Sequence, residues 1–329
     1  VDISNPDFQF RFILDSNEMV ETFMIISVVI CTFNRASYLE LAIESLLHQT
    51  VSLDYYEILV VDNASTDETA SLVNKYRDHG VAYLFEPQLG LSRARNTGWK
   101  HAKGAWVAYL DDDAIASRWW VEKILNFLSL ETKNVAAIAG PIGLIWSAER
   151  PCWMCDQLQS FLGFLDHGNV TRVLCSQEAI VGANSVFNRK YLERANGFSL
   201  EFGRVGKTLL SNEEVLLREA IEKLGGNIFY VADALVWHHV QLERTKMPWF
   251  FRRFFWQGIT RARIEFGFSS SKIIKGQHLL LTAFSCTKWF YVSIVKLLRG
   301  DRKILGFCHI CYLLGRIREL LFLLVVNRN

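Results

Sequence analysis

The chain of 329 residues has almost no net charge, since 36 Lys and Arg against 34 Asp and Glu leave +2. Nucleic-acid binding rests on a broad excess of basic residues, so no nucleic-acid partner is expected. A disulfide framework is missing as well. Seven cysteines, an odd number scattered mostly through apolar runs, point to reduced thiols in the cytosol. Cys152-x-x-Cys155 and Cys308-x-x-Cys311 have zinc-ligand spacing. The second pair lies in the apolar stretch 304–314, where a thiol acts as a small hydrophobe. Asp2, Asp7, Asp15 and Glu18 interrupt any early apolar region, so no secretory signal is expected. Nor is there a clean run of about 20 apolar residues, the length a bilayer span needs. The stretch 279–298 contains Lys288, and 304–326 contains Arg316 and Arg318. No G-x-G-x-x-G follows the first predicted strand. Cys31-Thr32-Phe33-Asn34-Arg35 stands there instead, which argues against a dinucleotide oxidoreductase.

What the chain does have is organised around 105–116, AWVAYLDDDAIA. An apolar run ends in Asp111, Asp112 and Asp113, as a buried strand would that brings carboxylates to a sheet edge. Three adjacent acids repel unless a cation lies among them, and hard divalent ions take such oxygen ligands. A solvated acidic turn before the next helix is the plain alternative.

Strand-like runs alternate with helical ones. Strands are predicted over 25–31, 57–61, 81–85, 105–110, 135–139, 180–187, 228–231 and 234–237, the last ending in His238-His239. Helices are predicted over 37–47, 65–76, 90–101, 119–128 and 212–224. Ser37-x-x-Glu40, Ser65-x-x-Glu68 and Ser211-x-x-Glu214 read as capping boxes. The segment 141–174 is irregular enough to cover a ligand. The alternation implies an α/β fold, mostly parallel and Rossmann-like, with helices on both faces of the sheet. In such sheets ligands bind beyond the carboxyl ends of the strands, so Asn34, Asp62 and the aspartate triplet are expected to face one crevice.

From Arg244 onward basic residues far outnumber acidic ones. Aromatic residues and arginines interleave in 248–266, as in a helix at a wet–apolar boundary. The expected organisation is a lead-in over 1–24 with a short strand near 8–14, a catalytic-type domain over 25–245, and a basic, apolar helical appendage over 246–329. That appendage suits the cytosolic face of an anionic membrane, packing on the domain, or homo-oligomer formation.

Several ordered motifs resemble those of the family 2 glycosyltransferases, the large group with a GT-A fold. They are 27–35 SVVICTFNR, 60–67 VVDNASTD, 90–98 GLSRARNTG, 110–113 LDDD, 182–184 GAN, 196–198 NGF and 212–214 NEE. The resemblance implies a nucleotide-sugar donor, a UDP sugar being expected, and a saccharide or lipid-linked acceptor. Asp62 then corresponds to the acid that holds the base, and Thr32, Asn34 and Arg35 line the nucleoside. Arg93, Arg95 and Asn96 fall in the segment flanking base and diphosphate. Asp111 to Asp113 resemble the DXD motif, with Asp111 and Asp112 toward the nucleotide sugar and Asp113 on a divalent metal, Mg²⁺ or Mn²⁺. His238 or His239 resembles the late histidine of the metal site, and Glu213 or Glu214 supplies the catalytic base. One base and no covalent partner suit a single inverting displacement. The near miss to Gln-x-x-Arg-Trp at Trp256-Gln257 and Arg261, with no clean spans, implies a non-processive enzyme. Two other readings compete. A nucleotidyltransferase calls for a Gly-rich basic loop after the first strand, which is absent. A non-catalytic saccharide-binding protein at the membrane sits poorly with five retained acids.

Overall fold

The computed structural model describes residues 25–130, 134–267 and 303–326, with isolated positions between 287 and 295. The expected lead-in strand near 8–14 lies outside the described residues, and so does nearly all of the apolar run 279–298. In chain order the elements are β1 (Ile26–Thr32), α1 (Ala36–Leu47), β2 (Tyr56–Asp62), α2 (Thr69–Lys75), β3 (Val81–Phe85), α3 (Leu91–His101), β4 (Trp106–Asp111), β5 (Ala114–Ala116), α4 (Trp120–Leu130), β6 (Val135–Ala139) and β7 (Ile142–Trp146). They continue with β8 (Arg172–Val173), β9 (Asn184–Asn188), α5 (Arg189–Arg194), α6 (Glu213–Lys223), β10 (Asn227–Tyr230), β11 (Val236–Val240), α7 (Met247–Gly267) and α8 (Lys303–Val326).

Eight strands form the main sheet in the order β3-β2-β1-β4-β9-β6-β10-β8. β1, β2, β3 and β4 are parallel neighbours, whereas β9 runs antiparallel to both β4 and β6. β1 is buried on both faces, as its unbroken apolar sequence requires. Ile26, Val28 and Ile30 pack with Leu39, Ile43, Leu72 and Ile124 of α1, α2 and α4. Val29 points to the other layer, with Ala94 of α3 and Leu217 and Ile221 of α6. Two helical layers therefore enclose a mixed, mainly parallel sheet, the α/β arrangement the alternation implies.

A second, three-stranded sheet has the order β5-β11-β7. The sequence reading ends the preceding strand at Trp237, but β11 continues through both histidines to Val240. Its backbone is paired throughout, with β7 on one side and with β5 up to His238 on the other. His238 lies opposite Ala114, so the imidazole stands directly beside Asp113. The strand expected over 180–187 is also shorter, starting at Asn184. That side chain donates to the carbonyls of Pro141 and Ala234 and accepts from Trp120 Nε1. Residues 180–183 are left as cavity wall.

None of the three capping boxes forms. The first free amide of α1, at Ala36, donates to the carboxylate of Asp67, which also caps the start of α2 at Thr69. Ser65 instead accepts from the Asn34 amide, and the Asn34 side chain accepts from Thr66 N. The loops after β1 and β2 thus cap each other across the sheet, a tertiary alternative to a local box.

α7 and α8 pack against each other, with Phe255 and Tyr312 carbonyl oxygens so close to Gly315 and Gly258 that a Cβ at either glycine would collide. Phe250 of α7 and Ile304 and Cys308 of α8 join Met154, Leu158, Leu162 and Val240 in one buried cluster. The helical segment therefore packs on the domain. Among the described residues no helix is long and apolar enough to cross a membrane.

Candidate active site

The carboxyl ends of β1 and β4 open into a cavity of about 460 Å³, within the usual range for small-molecule sites. Thr32, Arg35, Asp111, Asp112, Glu213, Glu214 and His238 line it. Segment 141–174 contributes Ser160 to Gly163 to its wall, consistent with the covering role expected of it.

The aspartates at the end of β4 meet different sets of partners, with Arg35 shared by Asp112 and Asp113. Asp111 is partly exposed, and one of its oxygens is 3.6 Å from Arg95 Nη2. Asp112 accepts from Arg35 Nη1 at 2.9 Å. Asp113 is buried. One of its oxygens faces His238 Nε2 at 3.0 Å, and the other accepts from Arg35, Arg244 and Gln241 at 3.0–3.1 Å. Burial alone would raise the Asp113 pKa, but His238, Arg244 and Arg35 outweigh it and hold the carboxyl well below its usual range. Asp112 moves the opposite way, raised by burial and by its charged neighbour Asp113, against Arg35.

One atom each from Asp111, Asp113 and His238 lie within 4.8 Å of one another. Two carboxylates and an imidazole suit Mn²⁺ or Mg²⁺. Neighbouring ligands on an octahedral ion with bonds of about 2.1 Å stand about 3 Å apart, as Asp113 and His238 do. His238 Nδ1 is buried with no partner among the described residues. The donor set therefore fits a divalent cation. His239 lies outside the group, its ring 5.6 Å from that of Tyr38, because successive strand residues point to opposite faces.

Across the cavity, Glu213 and Glu214 open α6. Both accept from Arg95 Nη1, at 2.8 and 3.1 Å. Arg95 is held by Tyr109 and Phe198, whose rings lie 5.9 and 5.3 Å from its guanidinium. Glu213 is only 3% exposed. Burial, with the neighbouring Glu214 charge, raises its pKa to about 7 despite Arg95. Glu213 Oε2, Thr32 Oγ1 and His238 Nδ1 are buried without partners among the described residues. All three residues line this one cavity. Native proteins rarely leave such groups unpaired, so the cluster reads as a polar ligand site.

The family profile described as Glycosyl transferase family 2 matches residues 27–195. The chain belongs to that family. It is similar to the glucosyl-dolichyl phosphate glucuronosyltransferase of Haloferax volcanii, 24% identical over 261 residues, or 78% of this chain and 82% of the relative. It is also similar to the succinoglycan biosynthesis protein ExoM of Rhizobium meliloti, 26% identical over 73% of this chain and 74% of that one. Among solved structures, the fold resembles mannosyltransferase PcManGT from Pyrobaculum calidifontis in complex with GDP-Man and Mn²⁺. The TM-score is 0.59 at 18% identity, covering 90% of this chain and 86% of that one. The protein is a glycosyltransferase with a GT-A-like fold.

Several expected ligand residues of this glycosyltransferase stand apart from the cavity. Asp62 accepts from Ser65 N and Tyr83 OH, both at 2.8 Å, and its neighbour Asn63 lines the wall instead. Asn34 ties two loops together, as described above. Asn96 binds both the amide and the carbonyl of Phe198. Arg93 is absent from the cavity lining. Arg95 is the residue whose weight the sequence reading missed. It shares a buried helical face with Ser92, Ala94, Gly98 and Trp99, and that periodicity was the available signal. Arg244, which holds Asp113, gave no local signal.

Proposed function

We propose that this glycosyltransferase moves a sugar from a nucleoside-diphosphate sugar to a hydroxyl of a saccharide or lipid-linked acceptor, with inversion and with Mn²⁺ or Mg²⁺. UDP is the expected leaving group. The observation that carries the reading is the facing of two carboxylate groups across one cavity, the Asp111–Asp113–His238 group and the Glu213–Glu214 pair, with Arg95 between them.

A divalent cation bound by Asp111, Asp113 and His238 supplies charge stabilisation to the departing diphosphate. Arg35, Arg244 and Gln241 hold Asp113 ionised and fixed. Glu214, the more accessible of the pair, lines the cavity and takes the acceptor hydroxyl proton as attack proceeds. The acceptor oxygen bonds to the anomeric carbon, and the bond from that carbon to the diphosphate oxygen breaks with its electron pair. Arg95 orients the Glu214 carboxylate toward the cavity. Asp62, Thr32, Asn34, Arg35, Arg93, Asn96 and Asp112 remain the nucleotide-side candidates that the family resemblance supplies, with Thr32, Arg35 and Asp112 best positioned. The Haloferax relative is a glucosyl-dolichyl phosphate glucuronosyltransferase, and together with the basic helix α7 this supports action at the cytosolic face of a membrane.

The test is incubation with UDP and GDP sugars, Mn²⁺, and soluble or lipid-linked saccharide acceptors. Nucleoside diphosphate release and a product of inverted anomeric configuration are expected. No release from any donor overturns the reading, and a retained configuration overturns the single displacement.

A further inference from the structure

The cavity holds two classes of arginine. Arg35, Arg95 and Arg244 each face a carboxylate within 4 Å. Arg204 and Arg253 line the same cavity, yet among the described residues neither has an ion-pair partner. Arg253 comes from α7. Its Nη1 donates to Gln257 Oε1 at 2.8 Å and its Nη2 to Ser211 Oγ at 3.2 Å. The guanidinium lies 5.6 Å from the Phe161 ring. A guanidinium has five donors, so these two neutral partners leave others open. Arg204 comes from a different segment, the loop before α6, where its carbonyl accepts from the Leu91 amide at the start of α3.

Two like charges that repel each other without a direct ion pair form a costly arrangement in a part-buried site. Burial, and then the charge of Arg204, push Arg253 down to about 10. Glu213 and Glu214 are the acids whose charge reaches this end, and both already accept from Arg95, whereas the other end has Asp111, Asp112 and Asp113. This end is also the one beside the proposed base. Ser211 and Gln257, which hold Arg253, both contact Asn212, the residue preceding Glu213. An anion there would stand next to the hydroxyl that Glu214 deprotonates.

We infer that Arg204 and Arg253 form a second anion subsite, which holds a phosphate group carried by the acceptor. Two guanidinium groups from separate elements can share the oxygens of one phosphate in charge-assisted bonds. The subsite makes an acceptor with a phosphate close to its reacting hydroxyl a better substrate than its neutral counterpart. The inference rests on the transferase reading above, because the nucleotide must occupy the opposite end.

Inorganic phosphate is the probe, titrated calorimetrically into the full chain saturated with Mg²⁺ and a nucleoside diphosphate. Phosphate uptake by the saturated protein is expected. Arg253→Gln and Arg204→Gln should each weaken it by about tenfold or more, leaving nucleotide affinity within about twofold. Arg253→Lys should restore part of the loss, and retained nucleotide binding certifies that each variant is folded. If nucleotide affinity falls in step with phosphate affinity, the arginines hold the donor diphosphate and the inference is overturned. It is equally overturned if the nucleotide-saturated protein takes up no phosphate, an outcome that leaves the transferase reading standing. Absence of nucleotide binding in the unaltered protein strikes that reading itself.

Discussion

Arg95 and Glu214 are held 3.1 Å apart with the backbone of Gly182 pressed against both. A Cβ at Gly182 would lie 2.0 Å from Arg95 Nη2 and 2.6 Å from Glu214 Oε1. Hydrogen is thus the one side chain this position accepts while the ion pair keeps its place. Gly182→Ala is expected to leave a folded protein, because what must move are side-chain ends. Glu214 then swings away from its orienting cation, and the transfer rate should fall by about tenfold or more, since small misplacements of a reacting group carry costs of that order. Steady-state rates beside a circular dichroism spectrum check this.

Arg95 itself carries a heavier structural charge. It is 3% exposed and faces Glu213, Glu214 and Asp111. Arg95→Met leaves buried carboxylates uncompensated, a change that typically costs about 3–5 kcal/mol. Denaturant titration should show a lower midpoint at neutral pH. Glu213→Gln in the same background should recover part of it.

Glu214→Gln separates the roles of the two glutamates. The amide keeps the size and one acceptor oxygen but cannot take a proton. Nucleotide affinity should be nearly unchanged, and turnover should fall by about 10²–10⁴. Glu213→Gln should cost far less turnover, since Glu213 is the more deeply buried of the two. Equal losses from both variants would assign the base to the pair rather than to Glu214.

The pH dependence of stability reports on Glu213. Its pKa is raised to about 7 by burial and by Glu214, above the unfolded value of about 4.3. Between those two values the folded state binds more protons than the unfolded one. Stability from this group is therefore fully present below about pH 4 and is lost as pH rises through about 7. Denaturant midpoints of the metal-free protein should decline over that window. Glu213→Gln should flatten the decline.

Much of this architecture was legible in the residues. Alternating apolar strands and amphipathic helices gave the parallel half of the sheet, and Asp111 and Asp112 at the end of β4 line the cavity. What the residues hid is tertiary. Asp67 takes over capping from Ser37 because two loops meet across the sheet. β11 extends past Trp237 because β5 and β7 supply partners that no local pattern announces. Arg95 looks like a surface helix charge until its face is counted against Ala94, Gly98 and Trp99. The aspartates stood out because three acids ending an apolar run have few structural uses. Asn34 and Asn96 belong to matching motifs yet serve the backbone, since an asparagine in a tight loop satisfies amides and ligands with the same atoms.

Cation binding should be visible without any sugar. An ion that binds only the folded state raises apparent stability by mass action, so Mn²⁺ should raise the melting temperature of the chain, and EDTA should reverse the rise. Asp111→Asn, Asp113→Asn and His238→Ala each remove one of the three candidate ligands and should reduce or abolish the shift. His239→Ala should not, because that ring stands against Tyr38. Asp113→Asn carries a second consequence. The aspartate neutralises Arg35 and Arg244 as well as facing His238, so its amide leaves buried cations exposed to one another and lowers stability even in EDTA. Asp111 is half-exposed with a single distant cation, so Asp111→Asn should lose the Mn²⁺ response while keeping its metal-free melting temperature. That contrast separates a ligand from a structural anion. If Mn²⁺ still stabilises both variants while the metal-free Asp113→Asn protein melts lower, the cation binds elsewhere and Asp113 serves the fold alone.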